Sequence, residues 1–458
     1  MEKILLSKAG MIAVVFLVLM IPLHMIGSLV SERAERQRGV VQEIAASNFG
    51  RQVVAGLVLS LPYREEYEEW VGEEKNKRLE HRSVDHVARL FPVEQQTEGS
   101  IAVGTKSRGI FKARIFESHV TLRGHFAGDG RMTLARKREG SKITWGRPFV
   151  SIAMDDPRGL IGTPELKWEE SALDLARGSA LPRMAGGVHA AVPEFNPMIP
   201  WRAGFFAKIG LNGTESLALV PTAGNDRIKL ASQWPHPSFG GQFLPRQSAA
   251  RDDGFEGNWT IGALASKAQQ QVLDQIEGRG SCQGAGICAD RLEVRFVEPI
   301  DIYSLSDRAV KYGFLFIALT FGCFMLIELL KALPIHPAQY LLVGLALAVF
   351  FLLLIALSEH IAFGLAYAIA TLACVALLGY YLIAVLGGVR ESAGFSAMLA
   401  CLYAALYGLL VSEDNALLLG ALLVFGIVAA AMIATRKFDW TTLSMPGAAS
   451  RLSNQPRT

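Results

Sequence analysis

The sequence predicts a multi-pass α-helical membrane protein, six transmembrane helices in a 1+5 arrangement, with a large mainly-β domain, antiparallel and sandwich-like, between the first helix and the other five. Three observations carry that expectation. Apolar residues make up 51 % of the 458 residues, with a mean hydropathy of +0.30, an excess over soluble globular composition. The excess is confined to one uncharged run near the N-terminus and five in the last third, each near the roughly 20 residues that cross a bilayer core. Between them lie about 275 residues of ordinary mixed composition, in which short stretches alternate apolar and polar.

The first run, Ala9 to Val30, follows a short segment, residues 1–8, that contains Lys3 and Lys8. It is long for a signal peptide, and Ser31-Glu32-Arg33 offers no small-residue cleavage pattern, so it reads as a retained anchor. Residues 31–306 form the expected β-rich domain, and residues 307–437 the five-helix bundle, with spans 310–330, 337–358, 361–386, 394–411 and 415–435. The polar residues 438–458 read as a disordered tail. Lys331, Arg390, Arg436 and Lys437 fall in loops on the same side as the N-terminus, while Ser358-Glu359-His360 and Ser412-Glu413-Asp414 carry no Lys or Arg. Cytoplasmic loops are enriched in Lys and Arg, so both termini are expected inside and the large domain outside, with Arg33, Arg36 and Arg38 as a local exception.

Within the domain, strands are expected where alternation is clean. In HVTLRGHF, Val120, Leu122 and Phe126 oppose His119, Thr121, Arg123 and His125; in RIKLASQW, Ile228, Leu230 and Trp234 oppose Arg227, Lys229 and Gln233. RLEVRF at 291–296 and the positions Val150, Ile152 and Met154 give two more. Helix one is expected to continue outward through Glu32 to Phe49, and Ser266 to Ile276 to form a short surface helix.

Charge and cysteines narrow the chemistry. The chain carries 45 basic and 42 acidic residues, and the domain is close to balance, so it has no electrostatic footprint for nucleic acid. Cys323, Cys374 and Cys401 fall in apolar helices, whereas Cys282 and Cys288 are a pair in the outward domain, where a disulfide closing their small loop would contribute about 2 kcal/mol. The sequence lacks GxSxG, HExxH, GxxxxGK[ST] and CxxC, so no catalytic, cofactor-binding or metal-ligating residue is assigned. An enzyme would require at least two of His236, His81, His86, Asp155, Asp156 and Arg158 to converge in one cleft. In the bundle, Glu328 is the one ionisable group well inside an apolar run; it lies three residues from Lys331 and can snorkel or pair there, and it is the candidate intramembrane polar site that a transporter would need.

The segment WPHPSFGGQFLPR presents Trp234, Pro235, His236, Pro237, Phe239 and Phe243 as a docking or structural loop. Its prolines force extended geometry, Gly240-Gly241 allow a sharp reversal, and Pro245 ends any regular ladder, leaving Phe239 and Phe243 displayed on a stiff backbone.

The strings WPHPSFGGQFLP (234–245), DRAVKYGFLFIALTF (307–321), HPAQYLLVGLALAVFFLLLIALSEH (336–360) and NALLLGALLVF (415–425) resemble the CreD family of bacterial inner-membrane proteins. Further echoes occur at 50–63, 106–116 and 146–160, with a departure at Ala55-Gly56, where a Gly-Pro pair is expected. The resemblance implies an inner-membrane location, a periplasmic domain and a role in a two-component-controlled envelope response. It implies membership of the cell envelope integrity class, associated with altered tolerance to envelope-directed toxins and β-lactams, and it supplies no catalytic residues. The expected function is thus a non-enzymatic envelope protein, seated in the lipid bilayer, whose domain binds an envelope protein or component. A transporter or flippase-like protein and a membrane-bound, envelope-modifying hydrolase are the alternatives, and the oligomeric state is left open.

Overall fold

A computed structural model describes residues 2–71, 77–279, 286–296, 301–331, 335–412 and 415–436. The chain divides into two compact units, Met1–Arg38 with Ile300–Thr458, and Gly39–Pro299. The described helices are α1 (Glu2–Ser47), α2 (Ala268–Glu277), α3 (Ile302–Lys331), α4 (Pro337–Ser358), α5 (Phe363–Leu386), α6 (Val389–Val411) and α7 (Ala416–Thr435).

Five of these, α1, α3, α4, α5 and α6, contain windows long and apolar enough to cross a membrane, and α7 adds the apolar stretch Leu418–Ala429. Their inward faces are aromatic: Phe316 and Phe350 each lie 4.5 Å from Tyr403 by ring centroid, and Phe324 lies 4.8 Å from Tyr340. Aromatic rings suit this role because water exclusion cannot drive helices together in lipid, so association depends on close packing. His336 caps α4, its Nδ1 accepting from the Ala338 amide, while the Gln339 side chain accepts from the His336 amide. The local exception to the charge rule has a partner, since Arg33 approaches Glu359 at 3.8 Å and the Tyr303 hydroxyl donates to the same carboxylate at 3.1 Å. Arg33 of α1, the start of α3 and the α4–α5 turn therefore share one end of the helical unit.

The other unit is built from two sheets. In the first, the order is β14 (Pro237–Gly241), β17 (Leu292–Phe296), β12 (Ser216–Val220), β1 (Gln52–Val71), β6 (Phe149–Met154), β10 (Gly187–Ala191) and β9 (Ala176–Arg177), with β2 (Arg78–Leu90) and β5 (Lys142–Trp145) also paired to β1. In the second, it is β15 (Gln247–Arg251), β16 (Gly254–Gly262), β13 (Asn225–Ser232), β3 (Glu94–Arg108), β4 (Phe111–Asp129), β11 (Pro200–Thr214), β7 (Glu165–Trp168) and β8 (Ser171–Ala172). Pairing is antiparallel except for β1 with β12 and β13 with β3.

One core fills the space between the sheets, with Leu57, Leu59 and Ile152 from the first meeting Phe126, Leu211, Leu230 and Trp259 from the second. The second sheet keeps its other face in solvent, so its strands alternate cleanly. The first sheet is covered on its back by α2, whose Ala268, Val272 and Ile276 are buried against Val53, Ala55 and Val220. The segment expected as a surface helix is thus one wall of a second core. The first ten residues of β1 are buried on both faces for the same reason.

Candidate functional site

The solvent face of the second sheet holds an open cleft of about 540 Å³. Its floor follows from register. Arg227 on β13 pairs with Gln96 on β3, and Gln96 pairs with Arg123 on β4, so the two arginines flank one glutamine. Two strand spacings separate them by about 10 Å at the backbone. The neighbouring row runs Asn225, Glu94, His125 and Gly204, the last on β11. Gly204 leaves room above the row because it has no side chain, and its amide donates to the Glu169 carboxylate on the β7–β8 turn.

Several contacts orient these groups. Arg202 approaches His125 Nδ1 at 3.4 Å. The Arg123 guanidinium lies 5.3 Å over the Phe206 ring. On the same face, lysines are neutralised: Lys167 pairs with Glu165 at 2.8 Å and Lys229 with Glu256 at 3.0 Å. Elsewhere in the domain Arg51, Arg64, Arg108 and Arg295 pair with Glu215, Asp85, Glu43 and Glu293. Arg123, Arg202 and Arg227 make no ion pair among the described residues.

Directly beneath the cleft is a buried polar clamp. Asp226, fully buried, faces inward between Asn225 and Arg227, and it accepts from Gln95 Nε2 at 3.0 Å and the Ala223 amide at 2.8 Å. Burial outweighs those two donors and pushes the Asp226 carboxyl up to about 7. Gln95 Oε1 and Thr222 Oγ1 lie buried beside it without a hydrogen-bond partner among the described residues. The clamp joins the two central strands of the cleft through their inward faces.

The residues singled out in the sequence fall into three separate groups. His86 faces Glu65 across the β1–β2 ladder at 2.9 Å and stacks on Tyr63. Burial would raise the Glu65 carboxyl, but the amides of Lys137 and Arg138, together with His86, hold it at about 2. His81, an odd number of residues away on β2, faces the other side and approaches Glu68 at 3.4 Å. Asp156 pairs with Arg158 at 2.6 Å in a 3₁₀ turn, and Asp155 accepts from the Ile287 amide at 2.8 Å. His236 is exposed at a different corner, edge-on to Trp234. These six side chains are thus committed to the hairpin, to the exit of β6 and to the β14 corner. Among the described residues, no group of three or more His, Cys, Asp or Glu could hold a metal ion.

The proline-rich segment corrects its expected geometry. Pro245 lies between strands, as expected, but Pro237 to Gly241 form β14 at the edge of the first sheet, in register with Phe296 to Leu292 on β17. Phe239 is turned inward rather than displayed, edge-on to Phe255 and Trp259 at 5.7 Å each. Phe243 packs on the same core and its carbonyl accepts from Trp259 Nε1 at 3.1 Å, while the Trp234 indole donates to the His236 carbonyl at 3.0 Å. Gly241 makes the reversal at φ +80, where a Cβ would meet the Arg291 carbonyl oxygen at 2.1 Å. Glu328 is buried in the helical unit, where it accepts from the Tyr340 hydroxyl at 2.8 Å. Cys288 is disulfide-bonded, and Cys282 lies outside the described residues.

A family model described as inner membrane protein CreD matches residues 4–441. The chain belongs to the CreD family of inner membrane proteins. It is 35 % identical over 436 residues to the inner membrane protein CreD of Escherichia coli (strain K12), covering 94 % of this chain and 92 % of that protein. Among solved structures, a mutant M1 zinc metallopeptidase from Deinococcus radiodurans overlaps 45 % of this chain and 42 % of its own, with 8 % identity and a TM-score of 0.20; that overlap carries no argument. The CreD family thus fixes a multi-pass inner-membrane protein, and the arginine cleft lies within the matched residues.

Proposed function

We propose that this CreD-family chain is a non-enzymatic receptor of the envelope-integrity class, whose β domain faces the periplasm and binds an envelope protein or component. The observation that carries this reading is the open polar cleft on the second sheet, in which three guanidinium groups stand without carboxylate partners among the described residues. Isolated guanidinium groups held together at a concave surface favour an external partner, because each brings a planar fork of donors. Two further features support the assignment. The histidines and carboxylates a hydrolase would have to assemble are engaged in separate structural contacts. Orientation is supported by the Arg33–Glu359–Tyr303 cluster, which places the basic exception beside an acidic loop that carries no Lys or Arg.

Photo-crosslinking in cells tests the reading. A photoreactive residue at Gln96 or Asn225 is expected to capture an envelope component, identified by mass spectrometry, while one at the exposed Asp252 captures none. Equal capture at all three positions, or none at Gln96 and Asn225, contradicts it.

A further inference from the structure

The cleft's chemistry narrows what it can hold. This inference rests on the binding reading and names the class of ligand. The backbones of Arg123 and Arg227 stand about 10 Å apart across Gln96. Arg202 closes the next strand, held by His125. A guanidinium matches carboxylate or phosphate through two parallel N–H···O bonds, and among the described residues no carboxylate already occupies these three. The three arginines rise from β13, β4 and β11, so a ligand that spans the cleft meets them best with at least two anionic groups. Between the arginines the lining is neutral or acidic, with Gln96 and Asn225 as amides and Glu94 as an acceptor. Those groups match hydroxyls and repel a third negative charge at the centre. The covering is solvent rather than protein, which suits an extended, hydrophilic ligand over an enclosed apolar one.

We infer that the cleft binds a polyhydroxylated, saccharide-class ligand bearing at least two oxyanion groups, phosphate or carboxylate, held by Arg123, Arg202 and Arg227.

The test uses the purified full-length chain in detergent and calorimetric titration at low ionic strength. Two probes separate the two sources of oxyanion: fructose 1,6-bisphosphate carries phosphates and digalacturonate carries carboxylates, with sucrose as the uncharged control. Saturable binding of either charged probe, weakening as salt is added and absent for sucrose, supports the inference and identifies the oxyanion. Arg123→Gln and Arg227→Gln should each weaken that probe by about tenfold or more, the loss expected for a charged hydrogen-bonding group. Lys208→Gln, one row away on the same face, should change it less than about twofold. Arg227→Lys keeps the charge but not the fork and should still weaken binding, so a folding defect in the glutamine variants would not shield the inference. Absence of saturable binding for both charged probes overturns it, as does undiminished binding in a chain lacking all three arginines. Capture from Gln96 in cells with no binding of either probe would sink the oxyanion assignment alone. Failure of both experiments would sink the binding reading as well.

Discussion

Asp226 is one residue from two groups that line the cleft, Asn225 and Arg227, yet it points to the opposite face of β13. Its carboxyl is raised to about 7 from an ordinary 3.8, because burial penalises the charged form more than Gln95 and Ala223 favour it. In the unfolded chain the group ionises near its ordinary value, so between about pH 4 and 7 the folded state binds more protons. Stability therefore falls as pH rises through that window and levels off above it, a linkage worth roughly 4 kcal/mol. Asp226→Asn cannot ionise, and Gln95 can turn its unpartnered Oε1 toward the new amide. The variant is expected to gain stability relative to the parent between pH 4.5 and pH 8, followed by urea unfolding and tryptophan fluorescence. An identical difference at the two pH values would show that Asp226 does not titrate in this window.

Elements differed in how far their sequences disclosed them, and burial explains the difference. β4 and β13 have one wet face, so period-two alternation marked both strands and put Arg123, His125 and Arg227 on the polar side. β3, which joins them, stayed hidden because Gln95 and Thr97 face inward and blur the alternation. The cleft could not be read as a unit, since β13 pairs with β3 across about 130 residues of chain. β1 gave no alternation because α2 buries its second face, and α2 looked like a surface helix because its own outer face is polar. Trp234 to Arg246 misled in the other direction, since its prolines hid a five-residue edge strand whose ring belongs to the core. Phe239→Ala should cost about 2 kcal/mol in domain stability, less than the 3–5 of a fully buried phenylalanine because the ring is half-buried. It should leave capture from Gln96 unchanged; loss of capture without loss of stability would return the segment to a docking role.

At the scale of the whole molecule, six apolar stretches place the chain in a membrane, and the CreD family places that membrane as the inner one. The proposed binding site lies on the solvent face of the second sheet rather than at Glu328, whose carboxylate accepts from Tyr340 inside the helical unit. The claim has two parts: the cleft faces away from the cytoplasm, and it is occupied in the cell. One measurement reads both, the rate at which a membrane-impermeant maleimide labels Gln96→Cys, with Cys323, Cys374 and Cys401 replaced by alanine. In cells with a permeabilised outer membrane and an intact inner membrane, the account predicts labelling that is several-fold slower than in the purified chain. Labelling that appears only after the inner membrane is opened, or that proceeds at the purified rate in cells, would contradict it.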